Sequence, residues 1–363
     1  MKRILSLDGG GIRGALTLGY LQKIEDILKA KSNDPANFRL CQHFDLIGGT
    51  STGSIIASAL AIGLTVEEIK NHYFDLGGKI FAKKRKWWKI FQLDDFVKAA
   101  YDEKPLETEL QKVFTDITLG DSRIKTGLCI VAKRADTNSI WPIINNPKGK
   151  YYDRNKDIPL WKLVRASAAA PTYFIPQIID VGGALSKAAF VDGGVSMANN
   201  PALQLLMVAT LKGFQYQWEW GADKLEIVSV GTGMSKWKKI PDKVAKNHLL
   251  KWAQQIPDML MQDASWQNQT VLQWLSESPT AWPIDREIGS LGGDILGGSK
   301  PHVSYVRYNT WLDEECLKSL TGRNYTPKEI DGLVEMSNAA SRFELYSIGQ
   351  LAAKNEVHEN HFK

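Results

Sequence analysis

Cysteine is scarce: Cys41, Cys129 and Cys316 are the only three in 363 residues, odd in number and far apart. No Cys-x-x-Cys or Cys/His spacing goes with them, which argues against a disulfide scaffold and a structural zinc site and implies a reducing compartment. Long apolar runs are missing too. The longest uncharged stretch, Leu46 to Val66, opens on Gly48-Gly49-Thr50-Ser51-Thr52-Gly53 and is mostly apolar only from Ile55 onward. That remainder suits a buried helix, because a membrane span takes ~20 residues. Met1-Lys2-Arg3 does not begin a secretory leader, since Asp8 and three glycines interrupt the apolar run that follows. The expected location is the cytoplasm. Repeats and low-complexity tracts are absent, and 44% hydrophobic with 23% charged residues excludes a disordered, collagen-like or coiled-coil chain. The length suits two domains or one large α/β unit.

Acidic residues are missing from one place. Between Lys79 and Phe91 stand Lys79, Lys83, Lys84, Arg85, Lys86 and Lys89 with no acid, whereas the whole chain carries only +5. The rest of the chain is therefore close to neutral, and one such run is too small a footprint for a nucleic-acid polymer. Trp87 and Trp88 within the run suit the headgroup level of an anionic membrane leaflet. A solvated helix face with both tryptophans packed inside fits equally. Seven of the 12 tryptophans fall between Trp218 and Trp282. There Trp252, Ile256, Met259 and Leu260, at helical spacing, form a second candidate for a lipid-facing lid, although core packing explains most of these tryptophans.

The N-terminal third alternates strand and helix. Arg3 to Leu7 and Phe44 to Gly48 read as strands. Ala15 to Lys31 and Ser54 to Gly63 read as helices, and Thr65-Val66-Glu67-Glu68 is a capping-box start for another. This alternation implies a mainly parallel sheet. Further strands are expected at 127–132, 140–144, 188–191 and 225–230, and a helix from Asn200-Pro201. Residues 234–304, with Pro241, Pro257, Pro279 and Pro283 and a glycine-rich patch from Gly289 to Gly298, read as an insertion or cap. Thr326-Pro327-Lys328-Glu329 opens a long helix expected to reach about Lys354.

Three glycine motifs carry the chemistry. Asp8-Gly9-Gly10-Gly11-Ile12-Arg13-Gly14, between strand and helix, lets backbone N–H groups approach an anion at a helix N-terminus. Gly9, Gly11 and Gly14 also satisfy the dinucleotide fingerprint, which needs an acid at the end of the second strand. That strand ends in Gly48-Gly49-Thr50. Gly49-Thr50-Ser51-Thr52-Gly53 matches G-x-S-x-G at a strand-to-helix turn, a nucleophile elbow exposing the Ser51 hydroxyl. The third motif, Val191-Asp192-Gly193-Gly194, follows a short apolar strand. A serine nucleophile needs a base. Ser51, Asp192 and His302 have the chain order of an α/β-hydrolase triad, yet several strands precede the elbow in that fold and one does here. The remaining option is a dyad in which Asp192 takes the serine proton directly, its basicity raised by partial desolvation beside glycine-lined backbone.

Together, in this order, the three motifs resemble those of the patatin-like phospholipases, and Ala166-Ser167-Ala168-Ala169-Ala170-Pro171 is similar to that family's small-residue helix end. The resemblance covers roughly residues 1 to 235. It implies an α/β, patatin-like three-layer fold around a central, mainly parallel sheet. Residues 1–233 would be the catalytic core, 234–304 a cap, and 305–363 a strand and helix completing the core. It implies Ser51 as nucleophile, Asp192 as general base and the N–H groups of Gly9, Gly10 and Gly11 as oxyanion hole. Gly14, Gly49, Gly53, Gly193 and Gly194 complete the motifs. Arg13 would meet a substrate phosphate, or else close its own turn by pairing with a carboxylate. The implied chemistry is acyl-ester hydrolysis of membrane phospholipids at a peripheral contact, without metal or cofactor. Stand-alone bacterial enzymes of this size further resemble anti-phage effectors switched on by cyclic dinucleotides, which the basic-aromatic segments would then hold. A nucleotide-binding protein built on the first glycine loop and a non-catalytic lipid-binding module are the alternatives.

Overall fold

The computed structural model describes residues 1–80, 101–171, 173–182, 186–235, 241–245, 249–283, 296 and 300–362. Apart from Lys79 and Ile80, the basic run lies outside them; Lys79 itself pairs with Glu109 at 2.9 Å. The strands are β1 (Lys2–Leu7), β2 (Leu46–Thr50), β3 (Gly127–Arg134), β4 (Ser139–Ile144), β5 (Gln177–Asp180), β6 (Lys187–Asp192), β7 (Leu225–Val230), β8 (Ser276–Glu277) and β9 (Val303–Tyr308). The first helices are α1 (Gly14–Lys31), α2 (Thr52–Ala61), α3 (Val66–Ile80), α4 (Lys104–Phe114), α5 (Tyr152–Asn155) and α6 (Leu160–Ser167). They are followed by α7 (Ala202–Thr210), α8 (Pro241–Ala245), α9 (Leu249–Leu275), α10 (Glu314–Thr321), α11 (Pro327–Val334) and α12 (Arg342–Glu356).

All nine strands join one sheet in the order β5-β6-β3-β2-β1-β7-β9-β8, with β4 also on β3. The centre is parallel, as strand–helix alternation requires. The pairings among β3, β4, β5 and β6 are antiparallel. Alternate residues of the central strands feed two cores. Leu5, Leu7, Ile47 and Ile130 pack on one face with α1 and α2, while Ile4, Leu46, Cys129 and Val131 pack on the other with α7. Both faces are thus covered, giving three layers.

The expected helix from Thr326 to about Lys354 is two helices. Its capping box forms between Thr326 and Glu329, but α11 stops at Val334. The Gly332 carbonyl there accepts from Asn338 Nδ2 at 2.9 Å and Ser341 Oγ at 2.8 Å, side chains that satisfy a last-turn carbonyl and end the helix. The break has a use: it turns the Met336 carbonyl toward the first glycine loop, where it accepts the Ile12 N–H at 2.8 Å. Then α12 crosses α1 at Gly19 and Gly349, each too close to the other helix's backbone to carry a Cβ. The stretch read as an insertion or cap, 234–304, contains the 27-residue α9. No helix among the described residues is long and apolar enough to cross a membrane.

Candidate active site

Ser51 and Asp192 meet because two strands run head to head along β3. Parallel β2 covers its first half and ends with Thr50 opposite Val131. Antiparallel β6 covers its last residues and ends with Asp192 opposite Ala132. The two chain ends therefore converge on adjacent positions of one strand.

The elbow is strained as a nucleophile turn requires. Ser51 has φ 54° and ψ −123°, a region that costs a non-glycine residue on the order of 1–3 kcal/mol. Gly49 and Gly53 fit because a Cβ on Gly49 would overlap the backbone of Gly53, and one on Gly53 would overlap the Leu7 carbonyl. Ser167 holds the elbow's backbone. Its Oγ accepts the Ser51 N–H at 2.9 Å and donates to the Val131 carbonyl at 2.6 Å.

The Asp192 side chain is 5% exposed and accepts the Gly194 N–H at 2.7 Å. Burial raises its carboxyl to about 6, opposed by hydrogen bonds from the Ser51 side chain and the Gly194 N–H. At neutral pH it is an ionised carboxylate, far more basic than an exposed aspartate. Gly193 sits where a Cβ would overlap the Val131 carbonyl, and Gly194 faces Asn199. The loop that follows is tied down carbonyl by carbonyl. Asn268 Nδ2 donates to the Met197 and Asn200 carbonyls at 2.6 and 3.0 Å, Thr50 Oγ1 to Ala198 at 2.5 Å, and the Gly9 N–H to Asn199 at 3.0 Å.

That last bond corrects an expectation: the Gly9 N–H is already used inside the protein and is not aimed at an oxyanion. Gly10 and Gly11 differ, since among the described residues neither N–H donates to a protein acceptor. Gly11 has φ 56° and is crowded by the Met336 carbonyl, and Gly10 is crowded by Thr232. Gly14 is crowded by Tyr73 and Thr52. Tight packing, rather than room for a pyrophosphate, is what requires these glycines. Arg13, expected either to meet a phosphate or to close its own turn, has partners within the protein. Its guanidinium reaches back toward the Gly10 and Gly233 carbonyls at 3.5 and 3.4 Å and lies outside the cavity wall. His302 precedes β9, at the sheet end opposite Ser51, and bonds the Leu296 carbonyl at 3.1 Å. Parallel strands of this length put it roughly 20 Å from the elbow, outside any triad.

Two supports went unseen in the sequence. The Tyr73 hydroxyl donates to the Gly11 carbonyl and pairs with Thr52 Oγ1 at 2.6 Å, joining glycine loop to elbow from α3. Asp8, at the head of the glycine loop, makes a buried two-pronged pair with Arg307 of β9 at 2.9 and 2.6 Å.

Ser51 and Asp192 stand in the wall of a cavity of about 1230 Å³, larger than the ~300–1,000 Å³ of an ordinary small-molecule site. Tyr73, Leu76 and Ile80 of α3, Phe174, and Ile256, Leu260 and Ala264 of α9 give it mostly apolar walls. The tentative lid helix of the sequence is therefore a cavity wall. The arrangement can hold a long apolar chain with an ester beside an activated serine.

A family model described as patatin-like phospholipase matches residues 5–206. A cGAMP-activated phospholipase of Vibrio cholerae is 32% identical over 206 residues, 55% of this chain and 55% of that protein. A protein of the same description from Escherichia coli is 29% identical over 247 residues, 67% of this chain and 65% of that protein. Patatin-1-Kuras 2 of Solanum tuberosum is 30% identical over 278 residues, 71% of this chain and 70% of that protein. The matched stretch thus spans little more than half of the Vibrio protein's length.

Proposed function

The chain belongs to the patatin-like phospholipase family, and on that premise we propose that it hydrolyses acyl esters of membrane phospholipids with a Ser51–Asp192 dyad. The observation that carries this reading is a strained serine beside a buried carboxylate raised to about 6, in the wall of a large apolar cavity. Ser51 Oγ attacks the ester carbonyl as its proton passes to Asp192. The Gly10 and Gly11 N–H groups hold the oxyanion. Collapse breaks the bond to the lysophospholipid oxygen, which leaves with the proton from Asp192. Water then repeats the sequence on the acyl-serine, releasing fatty acid and restoring Ser51. On this reading residues 1–233 and 305–363 form the catalytic core, and 234–304 a cap that also lends β8 and the first residues of β9 to the sheet.

A hydrolase of membrane lipids inside a cell needs a gate. The names of the two bacterial relatives, cGAMP-activated phospholipase, support a cyclic dinucleotide as activator. On this reading the protein acts in anti-phage defence, from the cytoplasm at a peripheral contact. The test is fatty-acid release from mixed phospholipid vesicles by wild type, Ser51→Ala and Asp192→Asn, each with and without a panel of cyclic di- and trinucleotides. Release that both substitutions abolish supports the dyad, and dependence on one nucleotide identifies the gate. Vesicle binding without release under any condition would instead favour a non-catalytic lipid-binding module.

A further inference from the structure

Around the mouth of the cavity, five large apolar side chains stand in the open: Val195 and Met197 on the loop after Asp192, and Ile256, Met259 and Leu260 on α9. Leu260 is 62% exposed and Met197 56%. They form one rim rather than scattered surface residues of the ordinary kind. Val195, Met197, Ile256 and Leu260 line the cavity as well, so an unbroken apolar path leads from the protein surface to Ser51. Ile256, Met259 and Leu260 follow i, i+3, i+4 spacing and share one side of the helix. The C-terminal half of α9 behaves differently. Asn268, Gln269 and Leu272 are buried, and Asn268 is bonded to the loop carbonyls of Met197 and Asn200. One end of the helix is thus fixed to the site while the other offers bare apolar surface, and the face turns polar at the exposed Asp263 and Gln267.

We propose that this rim is the surface by which the protein sits on a phospholipid bilayer, with Met197, Ile256, Met259 and Leu260 among the acyl chains and Asp263 at the headgroups. The proposal rests on the acyl-hydrolase reading and adds to it where the membrane lies. Continuity with the cavity selects the occupant. A protein partner or a second copy of this chain seated on the rim would stop the opening, because four of its five residues are also cavity wall. A bilayer presents acyl chains to that opening instead.

The experiment uses the full chain with Ser51→Ala to prevent turnover and Cys316→Ser to remove the one cysteine that is not buried. A polarity-sensitive fluorophore is attached through Met259→Cys or, as control, Leu211→Cys. Leu211 is 49% exposed and follows the end of α7 remote from the site. Phosphatidylcholine/phosphatidylglycerol vesicles with brominated acyl chains are then added. Blue-shifted, bromine-quenched emission at position 259 but not at 211 is expected. Met259→Glu in the otherwise unlabelled protein should weaken vesicle binding about tenfold. No vesicle association, or association with an unquenched probe at 259, overturns the proposal. A shift at 259 that follows protein concentration without lipid assigns the rim to a second copy and also overturns it. Fatty-acid release by the wild type is read separately. Release with an unquenched probe removes the rim and leaves the hydrolase, whereas quenching without release removes the hydrolase and leaves the rim.

Discussion

The loop after Asp192 and the first half of α9 border the same cavity and are built on opposite rules. Between Met197 and Asn200 every backbone carbonyl has a donor, drawn from α9, β2 and the glycine loop. Along α9 from Ile256 to Leu260, large apolar side chains are left bare. Positions that must hold an atom within a fraction of an ångström are over-determined by hydrogen bonds. Positions that must accept a deformable chain are held only by helix geometry. The chemistry is bonded in place and the entrance is bare.

The sharpest way to break this contrast is at the bonded side. Ser51→Ala should lower acyl-ester turnover about 10⁴-fold or more while leaving vesicle binding unchanged, as steady-state kinetics and co-sedimentation would read. Arg307→Met should be the most damaging to stability. It leaves Asp8 as a lone buried carboxylate, and breaking such a pair costs about 3–5 kcal/mol, measurable by denaturant unfolding. Asn268→Leu should cost about 2 kcal/mol, because two carbonyls near the elbow lose their donor, and turnover should fall with it.

Asp192→Asn turns function against stability. Its carboxyl is raised to about 6 in the folded protein from 3.8. The native state therefore favours the protonated form, and that contribution is complete below about pH 3.8 and lost as pH rises through about 6. Above pH 6 the ionised Asp192 weakens the fold by up to about 3 kcal/mol. The neutral variant should lose activity yet melt a few degrees higher than wild type at pH 8, with the difference vanishing below pH 4. Glu356, raised to about 7 by burial, follows the same sign in both proteins and drops out of the comparison. At the other extreme, Met259→Glu should change stability by less than ~0.5 kcal/mol, since its side chain is exposed.

The legibility of the sequence follows the same divide. The elbow could be read because backbone crowding dictates residue type. Gly49, Gly53 and Gly193 each abut another segment's backbone, and such a constraint leaves its mark in the string itself. Parallel strands and the Thr65 and Thr326 capping boxes were equally local signals. Tyr73, Arg307 and Asn268 were not legible, because each acts on a partner at least 60 residues away and sits among ordinary helix or strand neighbours. Gly9 was placed in the right loop, but its N–H is already bonded to Asn199, since a motif fixes the path of the backbone and not which N–H is already taken. In α9 the helical spacing of Trp252, Ile256, Met259 and Leu260 was legible, but not that the helix runs on to Leu275.

The central claim is that Asp192 alone activates Ser51. Fluorophosphonate labelling followed across pH by intact-protein mass spectrometry, with peptide mapping of the adduct, tests it most directly. The account predicts one adduct on Ser51, a labelling rate that rises through about pH 6, and loss of that rise in Asp192→Asn. Labelling that is independent of pH between 5 and 8, or that survives Asp192→Asn at the wild-type rate, would contradict it.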